Sequence, residues 1–101
     1  LNRLIHQYQE RELQNPAIII DCNHANSSKD FMEQPRIALE VLANRRHNFA
    51  IEKAVKGLMI ESYLEDGRQN LDGGIFGKSI TDPCLGWGKT ETLIYRIADK
   101  L

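Results

Sequence analysis

The sequence predicts an α/β fold in which parallel strands are joined by crossover helices. Three short hydrophobic runs carry this prediction, because each has the length of a strand and each ends in polar residues. Apolar residues at helical spacing lie before the first run, between the first and second runs and after the third, and a long loop separates the second run from the third. The spacing of the three runs also fits parallel strands. His24 and Glu61 are 37 positions apart, enough for a helical crossover, and Glu61 and Asp82 are 21 positions apart, enough for a loop crossover.

The first half of the chain is predicted to contain a helix, a strand and a second helix. Apolar residues over 1–13 have helical spacing, and Asn15-Pro16 breaks that helix. The β-branched run 17–22 predicts a strand covered on both faces, as in a parallel sheet. Asn26-Ser27-Ser28 offers helix caps, and the apolar spacing then predicts a helix from about 31 to 47.

The second half begins with a predicted strand over 54–64. Residues 65–77 are rich in Asp-Gly and Gly-Gly pairs, which predicts a long loop of the kind that often carries function. A third strand is predicted over 78–81, where Pro83 and Gly86 then end it. Apolar residues at helical spacing over 90–101 predict a C-terminal amphipathic helix.

Composition excludes several classes of protein. The chain has 101 residues, 27% of them charged, and a net charge of −1, which argues against a general nucleic-acid or membrane binder. No apolar run approaches the ~18 residues that a membrane helix needs. Two cysteines do not make a disulfide framework, so reduced, buried thiols and a cytoplasmic location are expected. The chain lacks an initiator methionine, and we expect a fragment or a processed product.

A potential metal ligand follows each of the three hydrophobic runs. His24, Glu61 and Asp82 are expected to converge if the strands are parallel neighbours, because the carboxyl ends of such strands meet at one edge. One imidazole and two carboxylates suit a divalent metal. Taken singly, His24 is equally well explained as a strand-end histidine and Asp82 better explained as a turn residue before Pro83. The prediction depends on their conjunction.

Other motifs are weaker. Cys22 lies two positions before His24 and so points to the same face of a strand, but a buried thiol is more often part of a core than a ligand. Gly88-Lys89-Thr90 and Gly77-Lys78-Ser79 both lack the first glycine of a phosphate-binding loop and its strand–loop–helix context. A nucleotide-binding loop is therefore not predicted.

Three segments together resemble class I 3-deoxy-D-arabino-heptulosonate 7-phosphate (DAHP) synthases, also called phospho-2-dehydro-3-deoxyheptonate aldolases. They are Asp21-Cys22-Asn23-His24-Ala25-Asn26-Ser27-Ser28-Lys29, Met59-Ile60-Glu61-Ser62-Tyr63-Leu64 and Gly77-Lys78-Ser79-Ile80-Thr81-Asp82-Pro83-Cys84-Leu85-Gly86-Trp87. The resemblance is to the C-terminal part of these enzymes and runs along nearly the whole chain. Asn23 departs from the family, which usually has serine there, and we expect the change to be tolerated.

The resemblance implies that residues 1–101 form one C-terminal segment, about strands 6–8, of a TIM (β/α)8 barrel. These enzymes condense phosphoenolpyruvate with erythrose 4-phosphate, the first step towards the aromatic amino acids. Their divalent metal is held by a cysteine, a histidine, a glutamate and an aspartate, and by motif match His24, Glu61 and Asp82 are the last three. Manganese, iron, zinc and cobalt are not distinguished by this ligand set. The bound metal polarises the aldehyde of erythrose 4-phosphate.

Two parts of the family's machinery fall outside the resemblance. The cysteine ligand belongs to a Gly-Pro-Cys-Ser type segment, which neither Cys22 nor Cys84 matches. Most of the cations that bind the two phosphorylated substrates also lie elsewhere, so the chain alone is expected to be inactive. Uncovered strand edges predict self-association, and a homo-oligomer is expected. Two alternatives stay open, a non-catalytic remnant that acts in assembly or binding and an unrelated metal-dependent aldolase or hydrolase.

Overall fold

The computed structural model describes residues 1–12, 14–27 and 30–101 and shows a mixed α/β chain. Its elements are α1 (Asn2–Gln9), β1 (Ile18–Asp21), α2 (Gln34–His47), α3 (Phe49–Ala54), β2 (Val55–Met59) and α4 (Trp87–Lys100). Two short 3₁₀ helices, His24–Ser27 and Phe31–Glu33, connect β1 to α2. Within the described ranges, no helix is both long and apolar enough to cross a membrane.

The two strands pair in parallel, as the sequence predicts. Ile20 lies opposite Leu58 and Asp21 opposite Met59, and one irregularity in register falls between Ile18 and Ile19. The ladder continues past the last paired residues, because the backbone N–H of Cys22 donates to the carbonyl oxygen of Met59 at 2.9 Å. The residues after both strands therefore emerge at the same edge of the sheet.

The two predicted N-terminal helices are present, with shifted bounds. α1 ends at Gln9, before the Asn15-Pro16 break, and α2 begins at Gln34 with Pro35 in its first turn. Asp30 caps the 3₁₀ helix that leads into α2, since its side chain accepts a hydrogen bond from the backbone N–H of Met32 at 3.1 Å. The predicted helical position of Leu13 and the predicted cap at Ser28 lie outside the described residues.

A short helix that the sequence analysis misses precedes the second strand. Asn48 ends α2 in an extended conformation, and its side-chain oxygen accepts from the backbone N–H groups of Ala50 and Ile51 to start α3. The six residues of α3 are too few to show a helical repeat of apolar residues, although the Asn cap was a readable signal. The predicted strand over 54–64 is shortened to Val55–Met59.

The predicted third strand over 78–81 is wrong. Its backbone carbonyl groups are occupied by the preceding loop, because the backbone N–H of Gln69 donates to Ser79 and the guanidinium of Arg68 donates to Thr81. A later segment of the chain, around Leu85, lies beside the residues that follow β2 instead. Leu85 makes a parallel bridge to Ser62, in which the Leu85 N–H donates to the carbonyl of Glu61 at 3.0 Å. The segment that carries Asp82 thus reaches the sheet by one bridge rather than by a strand.

The core lies between the sheet and the helices. Buried apolar residues from all of these elements form one cluster: Ile5, Ile18, Cys22, Ile37, Ala38, Val41, Ile51, Val55, Leu85 and Leu93. The radius of gyration is 15.6 Å and the extents are 48 × 29 × 21 Å. A compact domain of this length has a radius near 13 Å, so the chain is elongated for its size.

Asp66 fastens the long loop to the start of α4. One carboxylate oxygen accepts from the backbone N–H of Gly86 at 2.7 Å, and the other pairs with the ammonium group of Lys89. The hydrogen bond from Lys89 is the main cause of a lowered pKa at Asp66, and the Gly86 bond adds to it. This carboxylate therefore replaces a missing side-chain cap at Gly86.

We expect the isolated chain to self-associate, because apolar side chains and strand edges stand open to solvent. Leu71 is 85% exposed and Phe76 88% exposed. Sedimentation velocity should show an average mass that rises with protein concentration. A Leu71→Ser, Phe76→Ser variant should associate less, and association unchanged in that variant would assign it to the strand edges. A single monomeric species at high concentration would contradict the expectation.

Replacing Asp66 with asparagine should lower the free energy of unfolding at neutral pH by about 1 kcal/mol, since the carboxylate is partly solvent-exposed. Because folding lowers the pKa of Asp66 below its ordinary 3.8, this stabilisation is complete above pH 3.8. It is lost as the pH falls through the folded-state pKa. Urea titrations of both proteins should therefore differ at pH 7 and converge in acid. Asp72→Asn, an exposed site in the same loop, serves as the control and should differ from the unmodified chain at neither pH.

Candidate metal centre

His24 is held in a fixed orientation directly after β1. It begins the 3₁₀ helix His24–Ser27, and its backbone takes a left-handed φ of 46°, uncommon outside glycine. Nδ1 lies 2.8 Å from Oδ2 of Asp21, the last residue of β1. Because that carboxylate accepts the Nδ1 proton, the neutral ring presents the lone pair of Nε2 towards the rest of the site.

Glu61 lies two positions beyond β2 and is fixed at both its backbone and its carboxylate. The side-chain amide of Gln34, which is fully buried, accepts from the Glu61 N–H at 2.8 Å and donates to the Glu61 carbonyl at 2.9 Å. The carboxylate oxygen Oε2 accepts from Nδ2 of Asn23 at 2.7 Å. A carboxylate beside a hydrophobic strand is thus surrounded by partners rather than left unpaired.

Asp82 joins the other two residues from the third segment. Its Oδ2 lies 3.2 Å from Nε2 of His24, and Oε2 of Glu61 lies at the same 3.2 Å from that nitrogen. One nitrogen and two oxygens thereby lie within 4.8 Å of one another, all on half-buried side chains. The convergence predicted from the sequence is therefore present, although the third strand that was expected to deliver Asp82 is not.

The charges of the site act on one another. The pKa of His24 is raised, chiefly by its hydrogen bond to Asp21, with smaller contributions from the negative charges of Asp21, Glu61 and Asp82. At Asp21, burial alone would raise the pKa, but hydrogen bonds from the Asn23 N–H and from His24 together lower it. The three carboxylates and one imidazole form an acidic group that attracts a cation, either a proton on His24 or a metal ion.

The donor set fits a divalent metal. Two ligand atoms about 2.0–2.2 Å from one ion stand roughly 2.8–3.6 Å apart when the angle between them is about 90–110°. The two 3.2 Å separations around His24 Nε2 fall in this range. Metal-bound histidines commonly donate their other ring N–H to a carboxylate, which is the relation of His24 to Asp21. These observations support a metal without identifying it.

The two cysteines belong to the core and not to this group. Cys22 is fully buried among apolar residues, and burial is the main cause of a thiol pKa raised to about 11. Cys84 is 3% exposed, and burial likewise raises its pKa. The Cys22 thiol donates to the carbonyl oxygen of Ile20 at 3.8 Å. The interpretation of Cys22 as a core residue is confirmed.

Sequence reasoning missed the residues that support the three donors. From the sequence, Asp21 has no predicted role beyond the resemblance segment, Asn23 is a tolerated departure, and Gln34 has no predicted role. A signal existed for Asp21, because a carboxylate three positions before a candidate histidine ligand is a frequent hydrogen-bond partner. Gln34 gave none, since its position at the start of α2 is unrelated in sequence to the end of β2.

The chain is similar in sequence to known proteins of one family. The sequence model of the DAHP synthetase I family matches residues 3–94. The Phe-sensitive phospho-2-dehydro-3-deoxyheptonate aldolase of Escherichia coli K12 is 41% identical over 85 residues, which cover 81% of this chain and 23% of that protein. A putative phospho-2-dehydro-3-deoxyheptonate aldolase of Schizosaccharomyces pombe is 40% identical over 91 residues, covering 82% of this chain and 23% of its own length.

A solved structure is similar over nearly the whole chain. The phospho-2-dehydro-3-deoxyheptonate aldolase of Francisella tularensis SCHU S4 matches with a TM-score of 0.85 and 27% identity, covering 98% of this chain and 28% of that one. The chain thus spans about a quarter of the length of the relatives it matches.

Neither thiol should react in the folded chain at pH 8. Cys22 and Cys84 are buried and, because their pKa values are raised, protonated, whereas the thiolate is the reactive form. Treatment with a chromogenic disulfide reagent should release little colour until urea unfolds the protein, when two equivalents react. Rapid modification of one native thiol that Mn²⁺ or Zn²⁺ suppresses would instead place that cysteine at the metal site.

Proposed function

The chain belongs to the DAHP synthetase I family, and we propose that it forms the C-terminal part of an enzyme that condenses phosphoenolpyruvate with erythrose 4-phosphate and releases phosphate. The observation that carries this proposal is the convergence of His24, Glu61 and Asp82 from three separate segments to within 4.8 Å. The match of residues 3–94 to the family and the names of the relatives support it. The product enters the synthesis of aromatic amino acids.

The same proposal assigns the fold. Residues 1–101 form one segment that supplies about strands 6–8 of a (β/α)8 barrel. Two features support this assignment: the parallel pair β1–β2 with helices in its crossover, and the similarity of 98% of the chain to about a quarter of a solved aldolase. His24 and Glu61 follow the carboxyl ends of β1 and β2, the edge at which such barrels place their chemistry.

His24, Glu61 and Asp82 are proposed to hold the divalent metal in the complete enzyme. When bound, the ion supplies a Lewis acid for the aldehyde of erythrose 4-phosphate. The chain's own residues preorganise this group. Asp21 fixes the imidazole so that Nε2 faces the site, and Gln34 fixes the backbone of Glu61. Side chains already held in place lose little freedom when the ion and substrate arrive.

The isolated chain is proposed to be inactive. The fourth, cysteine ligand expected for the family is not among these residues, and both thiols present are in the core. A net charge of −1 gives the chain no excess of cations for two anionic substrates. We place the complete enzyme in the cytoplasm as a homo-oligomer.

A second candidate is a non-catalytic remnant that serves in assembly or binding. The observation that favours it is the net charge of −1, which gives the chain no excess of cations for two phosphorylated substrates. Loss of metal binding would be expected of a remnant, whereas the donors of this site remain together.

The chemistry is best tested in a chimera. In the E. coli Phe-sensitive aldolase, the 85 residues that align with this chain would be replaced by the corresponding residues of this chain. Release of phosphate that depends on both substrates would then be measured with Mn²⁺. Activity should be retained in the chimera and lost by at least a hundredfold on Glu61→Ala, because one metal ligand is removed. Glu65→Ala, an exposed carboxylate in the adjoining loop, is the matched control. A folded chimera without activity would favour the remnant.

The metal site is tested separately in the chain itself. Titration calorimetry with Mn²⁺ should show one weak site per chain, since only three ligands are present. His24→Ala and Asp82→Ala should each abolish it, and His47→Ala, a histidine at the exposed end of α2, should not. Unchanged binding in the His24 variant would remove that residue from the site.

A further inference from the structure

We infer that Asn23 is a positioning residue, whose amide sets the orientation of the Glu61 carboxylate towards the metal. This inference rests on the proposed function, because it concerns the same metal. Asn23 is 1% exposed, and its side chain reaches three segments of the chain. Nδ2 donates to Oε2 of Glu61 at 2.7 Å and to the carbonyl of Pro83 at 3.3 Å, and Oδ1 accepts from Oγ of Ser27 at 3.1 Å.

The partners determine which way the amide points. The carboxylate of Glu61 and the carbonyl of Pro83 are both acceptors, so the NH₂ group must face them. The hydroxyl of Ser27 has a proton to donate to Oδ1. A flipped amide would place an oxygen against two oxygens in a buried site, which is strongly unfavourable. The orientation is therefore unique.

The position of these contacts matters for the site. Oε2 of Glu61, which the amide holds, is the same oxygen that lies 3.2 Å from Nε2 of His24. Pro83 directly follows Asp82, so the second bond ties the third segment to the same amide. Ser27 belongs to the 3₁₀ helix that begins with His24. One buried side chain thus connects all three ligand-bearing segments without being a ligand.

Stability alone does not explain this arrangement. A purely structural amide would be expected to bond backbone groups, but the shortest bond of the Asn23 side chain is to the carboxylate of a proposed ligand. That bond restrains the rotation of the Glu61 carboxylate, which the hydrogen bonds between Gln34 and the Glu61 backbone leave free. Partners of this kind typically change metal affinity by 10–100-fold when removed.

The test compares Mn²⁺ affinity and the visible spectrum of bound Co²⁺ in the 101-residue chain. Asn23→Ala should weaken Mn²⁺ binding roughly tenfold or more and alter the Co²⁺ bands, because Glu61 is no longer held in one orientation. Asn23→Ser should lie between alanine and the unmodified chain. Its hydroxyl is shorter and cannot reach Glu61 and Pro83 together.

Ser62→Ala is the matched control, because it removes a side-chain hydrogen bond of 2.7 Å, to Thr90, from the neighbour of Glu61. It should lower the melting temperature yet leave the Mn²⁺ affinity and the Co²⁺ spectrum unchanged. If Asn23→Ala unfolds, Asn23→Ser carries the comparison. Affinity and spectrum unchanged in the folded Asn23 variants would overturn the inference and leave the proposed function intact. Absence of Mn²⁺ binding in the unmodified chain would overturn the inference, and the chimera would decide the proposed function independently.

Discussion

The rest of the structure depends on the parallel pairing of two short strands. Because Asp21 lies opposite Met59 and the Cys22 N–H continues the ladder, both strands end at the same level. A shift of one residue would turn every side chain of one strand to the opposite face. The same shift would also separate the turn that carries His24 from Glu61. The register therefore determines both which side chains enter the core and whether His24 lies close to Glu61.

Strand pairing brings the ends near one another, and buried amides complete the placement. Glu61 follows β2 without belonging to it, so the pairing with β1 does not fix its backbone. Gln34 holds its backbone from α2, and Asn23 holds its carboxylate from the turn after β1. Such a network stabilises when its members are satisfied, and in both buried amides the nitrogen and the oxygen are each hydrogen-bonded.

The sequence was a good guide where the signal was local or repeated. The β-branched run before Asp21 and the apolar spacing of α2 and α4 were enough for the parallel α/β interpretation and for the three donors. It was a poor guide where long-range contacts decide. Residues 78–81 have the composition of a strand, yet their carbonyl groups bond Arg68 and Gln69 of the loop. Asn23 and Gln34 act across 38 and 27 positions, which no local pattern reveals.

The left-handed backbone at position 24 favours glycine, whereas the proposed site requires histidine. A non-glycine residue at φ 46° costs the folded chain on the order of 1 kcal/mol or more, and glycine would relieve that cost. Glycine would also remove the imidazole that faces both carboxylates. The backbone thus bears a cost at position 24 that only the contacts of the imidazole with its carboxylate neighbours can offset.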